Sequence, residues 1–196
     1  MNETLAAELE SLKQRDLETR SKLLAEGRLY GSYEAEMQRV HVENAEALDR
    51  IVAQHGWPGI SMVGIDACRA AWMVAQHSIC TPRLQRKFLK LLEEAVGKED
   101  VPAKQAAMLV DRIRFNEDRP QVYGTVLDWD ENGVLGCPLE NPEEVDKRRK
   151  DVGLPPLQES IEATGKEIAA EGGKPPQDYH AFRKKFHEWA REVGWQ

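Results

Sequence analysis

Apolar residues recur at intervals of three and four along most of the chain, which is the period of amphipathic helices. The leucines at positions 5, 9, 12 and 23 form the first such stripe, and residues 37–52 carry the second. Gly27, Asp66 and Pro82 stand where stripes end or begin, as helix stop and start signals do. The pattern predicts five helices, over residues 2–27, 33–55, 66–77, 82–96 and 102–115.

The periodicity changes after residue 120. Residues 121–127 alternate in side-chain character, residues 130–133 have the composition of a turn, and Val134 and Leu135 follow. This order predicts one β-hairpin near residues 121–136. A short charged helix near residues 142–152 and a weaker helix over residues 157–171 complete this part of the chain.

The end of the chain has the character of an appendage. A glycine- and proline-rich linker at residues 172–176 precedes a last helix whose aromatic residues, from Tyr179 to Trp189, recur at three- and four-residue intervals. Such a face packs against the chain's own core or against a second copy, so a homodimer through this helix is an expected partnership. We predict a mainly α fold, with a compact multi-helix domain and one β-hairpin over residues 1–158 and a C-terminal helical extension over residues 159–196.

Charge and composition narrow the class of protein. The net charge of −7 lacks the basic footprint of nucleic-acid-binding proteins, so no nucleic acid is expected as a partner. No apolar run approaches the roughly 20 residues of a membrane span, and the first residues lack the pattern of a secretory signal. Three widely spaced cysteines without a CxxC pair suit a reducing compartment. These features predict a cytoplasmic protein without a membrane partner.

Several ionisable or amide side chains fall on helix faces that are otherwise apolar. A buried polar group is costly unless it is paired, so such positions indicate a polar pocket. His77 has the residue type for acid/base catalysis, and a carboxylate from Asp111 or Asp16 would orient it. Other polar residues at such positions are Arg20, His41, Asn44 and Arg112 on helices and Gln121, Tyr123 and Thr125 in the hairpin.

These residues predict a site for a small polar or anionic ligand. We expect His77, Asp111 and Tyr123 to be catalytic, with His77 as the acid/base group and Tyr123 as a hydrogen-bond donor. Arg20 and Arg112 would hold an anion. The expected substrate-binding residues are Asp16, Arg20, Asn44, Trp57, Arg112, Gln121 and Thr125.

Each of these residues also has a structural interpretation. Asp16 and Arg20 lie one helical turn apart and can form a surface ion pair worth under about 1 kcal/mol. His41 can be a half-exposed helix residue, and His77 can cap the last carbonyl groups of its helix. Asp111 can belong to a structural pair that anchors the hairpin.

No motif in the chain indicates a metal or an organic cofactor. There is no HxxxH or HExxH pair, no glycine-rich phosphate loop, no GxSxG and no cysteine with a nucleophile signature. His180 and His187 lie two helical turns apart in the extension, which is too far for ligands on one turn. From spacing alone we expect no cofactor and no metal ligands.

A set of short motifs extends over most of the chain. It comprises Asp16, Arg20, Val40–Asn44, Gly56–Pro58, Val63–Gly64, Ala70–Trp72, Gln76–His77, Pro82, Gln85, Asp111–Arg112, Gln121–Thr125, Asp146–Arg149 and Gly153–Leu154. In this set, over about residues 5–158, the chain resembles a large family of uncharacterised bacterial proteins known only as a domain of unknown function. The resemblance implies a mainly helical fold without an assigned activity. The family pattern has aspartate in place of His41 and of Ile79 and glutamine in place of Val126, which implies a specialised or degenerate site.

Two functions remain open from the sequence. The first is a small cytosolic enzyme that acts on a small polar or anionic molecule through His77. The second is a non-catalytic binding or regulatory module, in which the polar cluster fixes helix register and the C-terminal aromatic helix mediates dimerisation or partner docking. A specialised biosynthetic role, implied by the departures from the family pattern, is a third.

Overall fold

The computed structural model describes residues 1–29 and 33–196, and this part of the chain is mainly helical, as predicted. It contains nine α-helices, one short antiparallel hairpin and a 3₁₀ turn over Pro142–Glu144. No helix within the described ranges has both the length and the apolar character needed to cross a bilayer. The helices are α1 (Glu3–Ala25), α2 (Ala35–His55), α3 (Ile60–Val63), α4 (Ile65–His77), α5 (Pro82–Val96), α6 (Ala103–Asn116), α7 (Val145–Asp151), α8 (Leu157–Ala170) and α9 (Tyr179–Val193), and the strands are β1 (Asp128–Trp129) and β2 (Leu135–Gly136).

The chain forms two compact units, residues 1–106 and residues 107–196. The boundary between them falls within α6, between Ala106 and Ala107. The domain boundary predicted after residue 158 stays a prediction.

The core of the first unit lies among its long helices. α1 packs against α2 and α4, and α5 also packs against α2 and α4. The predicted apolar stripes supply this core: Leu9, Leu48, Phe88 and Leu92 have no exposed surface. Burying an aliphatic or aromatic side chain of this size contributes roughly 1.5–3 kcal/mol, so these residues of α1, α2 and α5 stabilise the packing of the helices around the shared core.

The short helix α3 is the one helix of the first unit that the sequence pattern does not predict. Its first backbone N–H groups are bonded by Asp100, a residue far along the chain. The Ile60 N–H donates to the Asp100 carbonyl at 2.9 Å, and the Ser61 N–H donates to the Asp100 carboxylate at 2.7 Å. A helix of four residues has no apolar period of its own, and its cap comes from a distant residue that local spacing cannot identify.

The second unit contains a shorter hairpin than predicted. Its two strands pair Asp128 with Gly136 and Trp129 with Leu135, and Asp130 bonds the turn between them. Residues 121–127, predicted as a strand, form a loop apart from an isolated bridge at Gln121. The prediction was wrong for this segment because side chains take up its backbone groups, which are then not available to a neighbouring strand.

The aromatic face of α9 packs within the second unit. The Phe186 ring lies 5.1 Å from the ring of Phe115 and 5.8 Å from that of Trp189, measured between centroids. Phe182, Phe186 and Trp189 are half-buried, and Trp195 just after the helix is buried. These contacts favour the intramolecular interpretation of this face, and a homodimer through α9 stays a prediction.

Candidate active site

Three helices of the first unit each contribute one ionisable side chain to a single cluster. Asp16 lies in the middle of α1, His41 lies in the first half of α2, and His77 is the last residue of α4. The cluster, which we call the Asp16 triad, forms because α1 packs against both α2 and α4. The two contacts of Asp16 with His77 and His41 therefore join elements that are distant in sequence.

Both histidines approach the same carboxylate oxygen. The Nδ1 atom of His77 is hydrogen-bonded to Asp16 Oδ2 at 2.7 Å, and the Nε2 atom of His41 lies 3.1 Å from the same oxygen. The two imidazole rings are 5.0 Å apart between centroids. The other ring nitrogen of His41, Nδ1, is hydrogen-bonded to the Tyr33 hydroxyl. The four side chains thus form a continuous chain of polar contacts.

The three side chains of the triad differ in their exposed fraction. The Asp16 side chain is 1% exposed and that of His41 is 9% exposed, whereas the His77 side chain is 33% exposed. The expected half-exposed position of His41 was therefore wrong, because its place on the inward stripe of α2 buries it. Among the three, His77 is the group that a dissolved molecule can reach.

The histidines determine the charge state of Asp16. Burial raises the pKa of the Asp16 carboxyl, but the contact with His41, the hydrogen bond with His77 and the positive charge of their imidazolium forms lower it by more. The net result is a pKa of Asp16 well below its ordinary value. Asp16 is a buried carboxylate, so its interpretation as a member of a surface ion pair with Arg20 does not hold.

One oxygen of this carboxylate remains without a hydrogen bond. Asp16 Oδ1 is buried and has no hydrogen-bond partner among the residues that the structure describes. A buried carboxylate oxygen normally accepts at least one hydrogen bond, and leaving it without one costs about 1–3 kcal/mol. An unsatisfied atom of this kind beside two imidazoles marks the triad as a site that can take a further group.

The end of α4 is closed by residues other than His77. The Gln85 side-chain amide, which is fully buried, donates to the carbonyl oxygens of Ala75 at 2.7 Å and Gln76 at 3.0 Å. The Ser78 hydroxyl donates to the Val74 carbonyl. Gln85 and Ser78 therefore bond the last carbonyl groups of α4. The Nδ1 atom of His77 is hydrogen-bonded to Asp16 instead, so His77 does not cap its helix through this atom.

The other predicted residues of the first unit have structural surroundings. The Asn44 amide donates to the Leu12 carbonyl at 3.0 Å and accepts from the Arg15 guanidinium, which links α2 to α1. Trp57 is buried, and its indole N–H has no hydrogen-bond partner among the described residues. Arg20 is half-buried, one turn after Asp16 on α1. Their expected roles in substrate binding stay predictions.

The second unit contains a buried aspartate that is bound in a different way. Asp111 on α6 has no exposed surface, and its carboxylate accepts from the backbone N–H groups of Val122, Tyr123 and Thr125 and from the Thr125 hydroxyl, at 2.8 to 3.2 Å. Burial raises the pKa of Asp111, and these hydrogen bonds oppose the rise. This is the contact pattern of a residue that anchors a loop.

Side chains also bond the carbonyl groups and the remaining N–H groups of this loop. The Arg149 side chain, 2% exposed, donates to the carbonyls of Tyr123 and Gly124 at 2.6 and 3.2 Å. The Gln121 amide donates to the Val126 carbonyl at 2.7 Å and accepts from the Val126 N–H at 2.9 Å. Gln121 therefore stabilises the loop by bonding both backbone groups of Val126.

The predicted site residues fall into two groups. Asp16 and His77 are in contact in the first unit, and Asp111, Tyr123 and Thr125 are in contact in the second, which also holds the half-buried Arg112. Of the two carboxylates that could orient His77, Asp16 is the one in contact with it. The catalytic roles expected for Asp111 and Tyr123 stay predictions. Sequence reasoning missed His41 as a site residue, although its position on the α2 stripe carried the signal.

Two further features of the described residues offer less chemistry. Burial raises the pKa of the thiols of Cys68 and Cys137 to about 11, which keeps them protonated and poorly nucleophilic near neutral pH. A cavity of about 560 Å³ in the second unit is lined by Trp129, Tyr179 and Arg183, among others. Its two arginines are paired, Arg183 with Asp118 and Asp128 and Arg119 with Glu117, so the described residues of this cavity offer no unpaired cation for an anionic ligand.

Comparison with known proteins gives a family and no activity. Residues 5–169 match a family of unknown function, DUF6624. No curated protein and no solved structure matches the chain. The match confirms the resemblance to an uncharacterised family and extends it beyond residue 158 into α8.

Proposed function

The chain belongs to this family of unknown function, DUF6624, and because membership assigns no activity, we propose a function from the Asp16 triad: a small cytoplasmic enzyme in which His77 is the acid/base group. The substrate is a small polar or anionic molecule. The observation that carries the proposal is the 2.7 Å contact between a buried Asp16 carboxylate and a His77 ring that is one-third exposed. A cytoplasmic location is part of the proposal and is supported by three cysteines that form no disulfide.

The direction of the Asp16–His77 contact sets the role of each ring nitrogen. With Nδ1 turned to the carboxylate, the neutral imidazole carries its proton on Nδ1 and leaves the lone pair of Nε2 for a substrate proton. Within the described residues Nε2 makes no hydrogen bond. Asp16 then stabilises the imidazolium that forms when Nε2 accepts a proton, as a carboxylate does beside a catalytic histidine.

His41 and Arg20 complete the proposed site. His41 approaches Asp16 Oδ2 from the second helix and restricts the orientation of the carboxylate that holds His77. Arg20 lies one turn beyond Asp16 and would hold an anionic group of the substrate. The proposed roles of Arg112 and Tyr123 concern the second unit and are separate from the geometry of the triad.

The proposal is tested by the substitution His77→Gln in an activity screen of the full chain. The panel consists of small carboxylates, phosphate esters and carboxylic esters, and turnover is followed by NMR. We expect the substitution to lower any turnover found by about 10²–10⁴-fold, the range contributed by a positioned acid/base group. His55→Gln is the matched control because His55 is an exposed histidine at the end of α2.

The alternative is that the triad only fixes the register of α1, α2 and α4. A buried ionisable cluster can have this role without binding any ligand. Turnover in the His77→Gln protein equal to that of the wild type and of the His55→Gln control would exclude His77 as the acid/base group. A wild-type protein that turns over no member of the panel would favour this alternative, and with it a binding or regulatory module.

A further inference from the structure

The Asp16 triad has the geometry of a metal site as well as that of an acid/base pair. Asp16, His41 and His77 each offer one ligand atom, and these three atoms lie within 4.8 Å of one another. Ligands bound to a transition-metal ion at about 2.0–2.2 Å lie roughly 3.0–3.5 Å apart in neighbouring coordination positions. The observed distances of 2.7 and 3.1 Å to Oδ2 differ from this spacing by only a few tenths of an ångström.

The types of ligand select the class of ion. Two imidazoles and one carboxylate suit first-row transition ions such as Zn²⁺, Co²⁺ and Fe²⁺, whereas Ca²⁺ and Mg²⁺ bind mainly through oxygen. Three protein ligands also leave at least one coordination position for water or a substrate, which is the arrangement of catalytic metal sites. The exposed part of His77 places that open position where solvent can enter.

Two further contacts support a cation at this place. Asp16 Oδ1 is buried without a hydrogen-bond partner among the described residues, and a metal ion or its bound water would satisfy this oxygen. The Tyr33 hydroxyl is hydrogen-bonded to His41 Nδ1, the ring nitrogen that faces away from Asp16. Outer partners of this kind hold the ring of a metal-binding histidine and fix which nitrogen faces the ion.

We infer that Asp16, His41 and His77 bind one divalent first-row transition-metal ion. The ion would bind the lone pairs of the two ring nitrogens that face Asp16, so each neutral ring would carry its proton on the nitrogen that faces away from the ion, and an imidazolium would first lose one proton to solvent. No spacing motif marks the site, because its ligands come from three helices and Asp16 is 61 residues from His77. The inference goes beyond the acid/base proposal and does not depend on it.

The inference is tested by metal binding to the untagged full chain after removal of metals with a chelator. Co²⁺ is the spectroscopic probe, and Zn²⁺ binding is measured by calorimetry. We expect one equivalent of either ion per chain, with a dissociation constant on the order of 1 µM or tighter. The melting temperature of the wild type should rise in excess Zn²⁺.

Matched histidine substitutions locate the ion. His77→Ala should weaken Co²⁺ binding by about 100-fold and remove the effect of Zn²⁺ on the melting temperature, while His55→Ala changes neither. His77 is partly exposed, so its replacement leaves the helical circular dichroism intact and separates lost binding from lost folding. Wild-type binding well below one equivalent, or equal affinity in the His77→Ala and His55→Ala proteins, would overturn the inference.

The same samples separate the metal site from the acid/base proposal. Turnover that persists in the chelator-treated protein and falls when Zn²⁺ is added supports proton transfer by His77, with the ion as an inhibitor. Turnover that appears only with the ion contradicts that role and assigns the chemistry to metal-bound water. Both results retain the metal site, which only the binding measurements can exclude.

Discussion

Two buried aspartates, one in each compact unit, have the same side chain and almost the same exposure but different partners. Asp16 lies against two imidazoles that can gain and lose protons, and its pKa is lowered. Asp111 is bonded by three backbone N–H groups and a hydroxyl that do not titrate near neutral pH, and its pKa is raised. The identity of the partners therefore separates a buried carboxylate with a lowered pKa from one with a raised pKa that holds a loop.

The largest effect that this comparison implies is on the stability of the second unit. Asp111→Asn replaces one acceptor oxygen by an amide that points a donor at backbone N–H groups. We expect a loss of about 3 kcal/mol in the free energy of unfolding, because buried donors would lose their acceptor. Urea denaturation followed by circular dichroism measures it, with the exposed Asp151→Asn as control. Equal stability of the two variants would show that Asp111 is not an anchor.

A second substitution tests whether the Asp111 loop is as rigid as its hydrogen bonds indicate. Gly124 has a φ of 67°, and a Cβ atom there would lie 3.0 Å from the Leu139 and Leu157 side chains. Gly172→Ala is the matched control, since its φ of 77° is similar but nothing lies within 4 Å. We expect a loss of about 1 kcal/mol for Gly172→Ala and about 2 kcal/mol for Gly124→Ala in urea denaturation. A loop that yields easily would give the two variants the same stability.

The pH dependence of stability should distinguish Asp16 by its sign. A lowered pKa means that ionised Asp16 stabilises the fold above its ordinary pKa of 3.8, and that this contribution is lost as the pH falls below that value. We expect the wild type to lose about 1 kcal/mol more than Asp16→Asn between about pH 5 and about pH 2.5, measured by urea denaturation. Parallel pH profiles for the two proteins would contradict the lowered pKa.

The smallest change in stability is expected for His77→Gln, and it gives the clearest contrast with Asp111→Asn. His77→Gln replaces the exposed member of the Asp16 triad by an amide that can still donate a hydrogen bond to Asp16, so it should change the free energy of unfolding by less than about 0.5 kcal/mol. Asp111 would then be essential to stability, whereas His77 would matter to function alone. A loss as large as that of Asp111→Asn would place His77 among the structural residues instead.

The sequence predicted the long helices because each has an apolar stripe of sufficient length. α5 was predicted at its observed bounds, Pro82–Val96, and α1, α2, α4, α6 and α8 were predicted to within two residues at each end. The failures share a cause. α3 and the loop over residues 121–127 depend on the distant side chains of Asp100 and Asp111, and no local period records such a contact.

The sequence predicted which residues belong to the candidate site better than it predicted which of them are in contact. Asp16 and His77 were identified as polar residues on apolar stripes, and this signal is local. Which carboxylate contacts His77 depends on how α1 packs against α4, so spacing alone left Asp16 and Asp111 as alternatives. His41 was missed because histidine is intermediate in burial among the residue types, so its place on the α2 stripe did not decide between a half-exposed and a buried side chain.

The cap that Gln85 places on α4 has a consequence for any ligand of His77. A helix end that frays would carry its last side chain through displacements of several ångströms. The buried amide holds the final carbonyls of α4, so the imidazole stays in place while the ligand arrives. The conformational entropy of the His77 side chain is then lost when the chain folds and not when a ligand binds. More of the interaction energy with a ligand would therefore contribute to affinity.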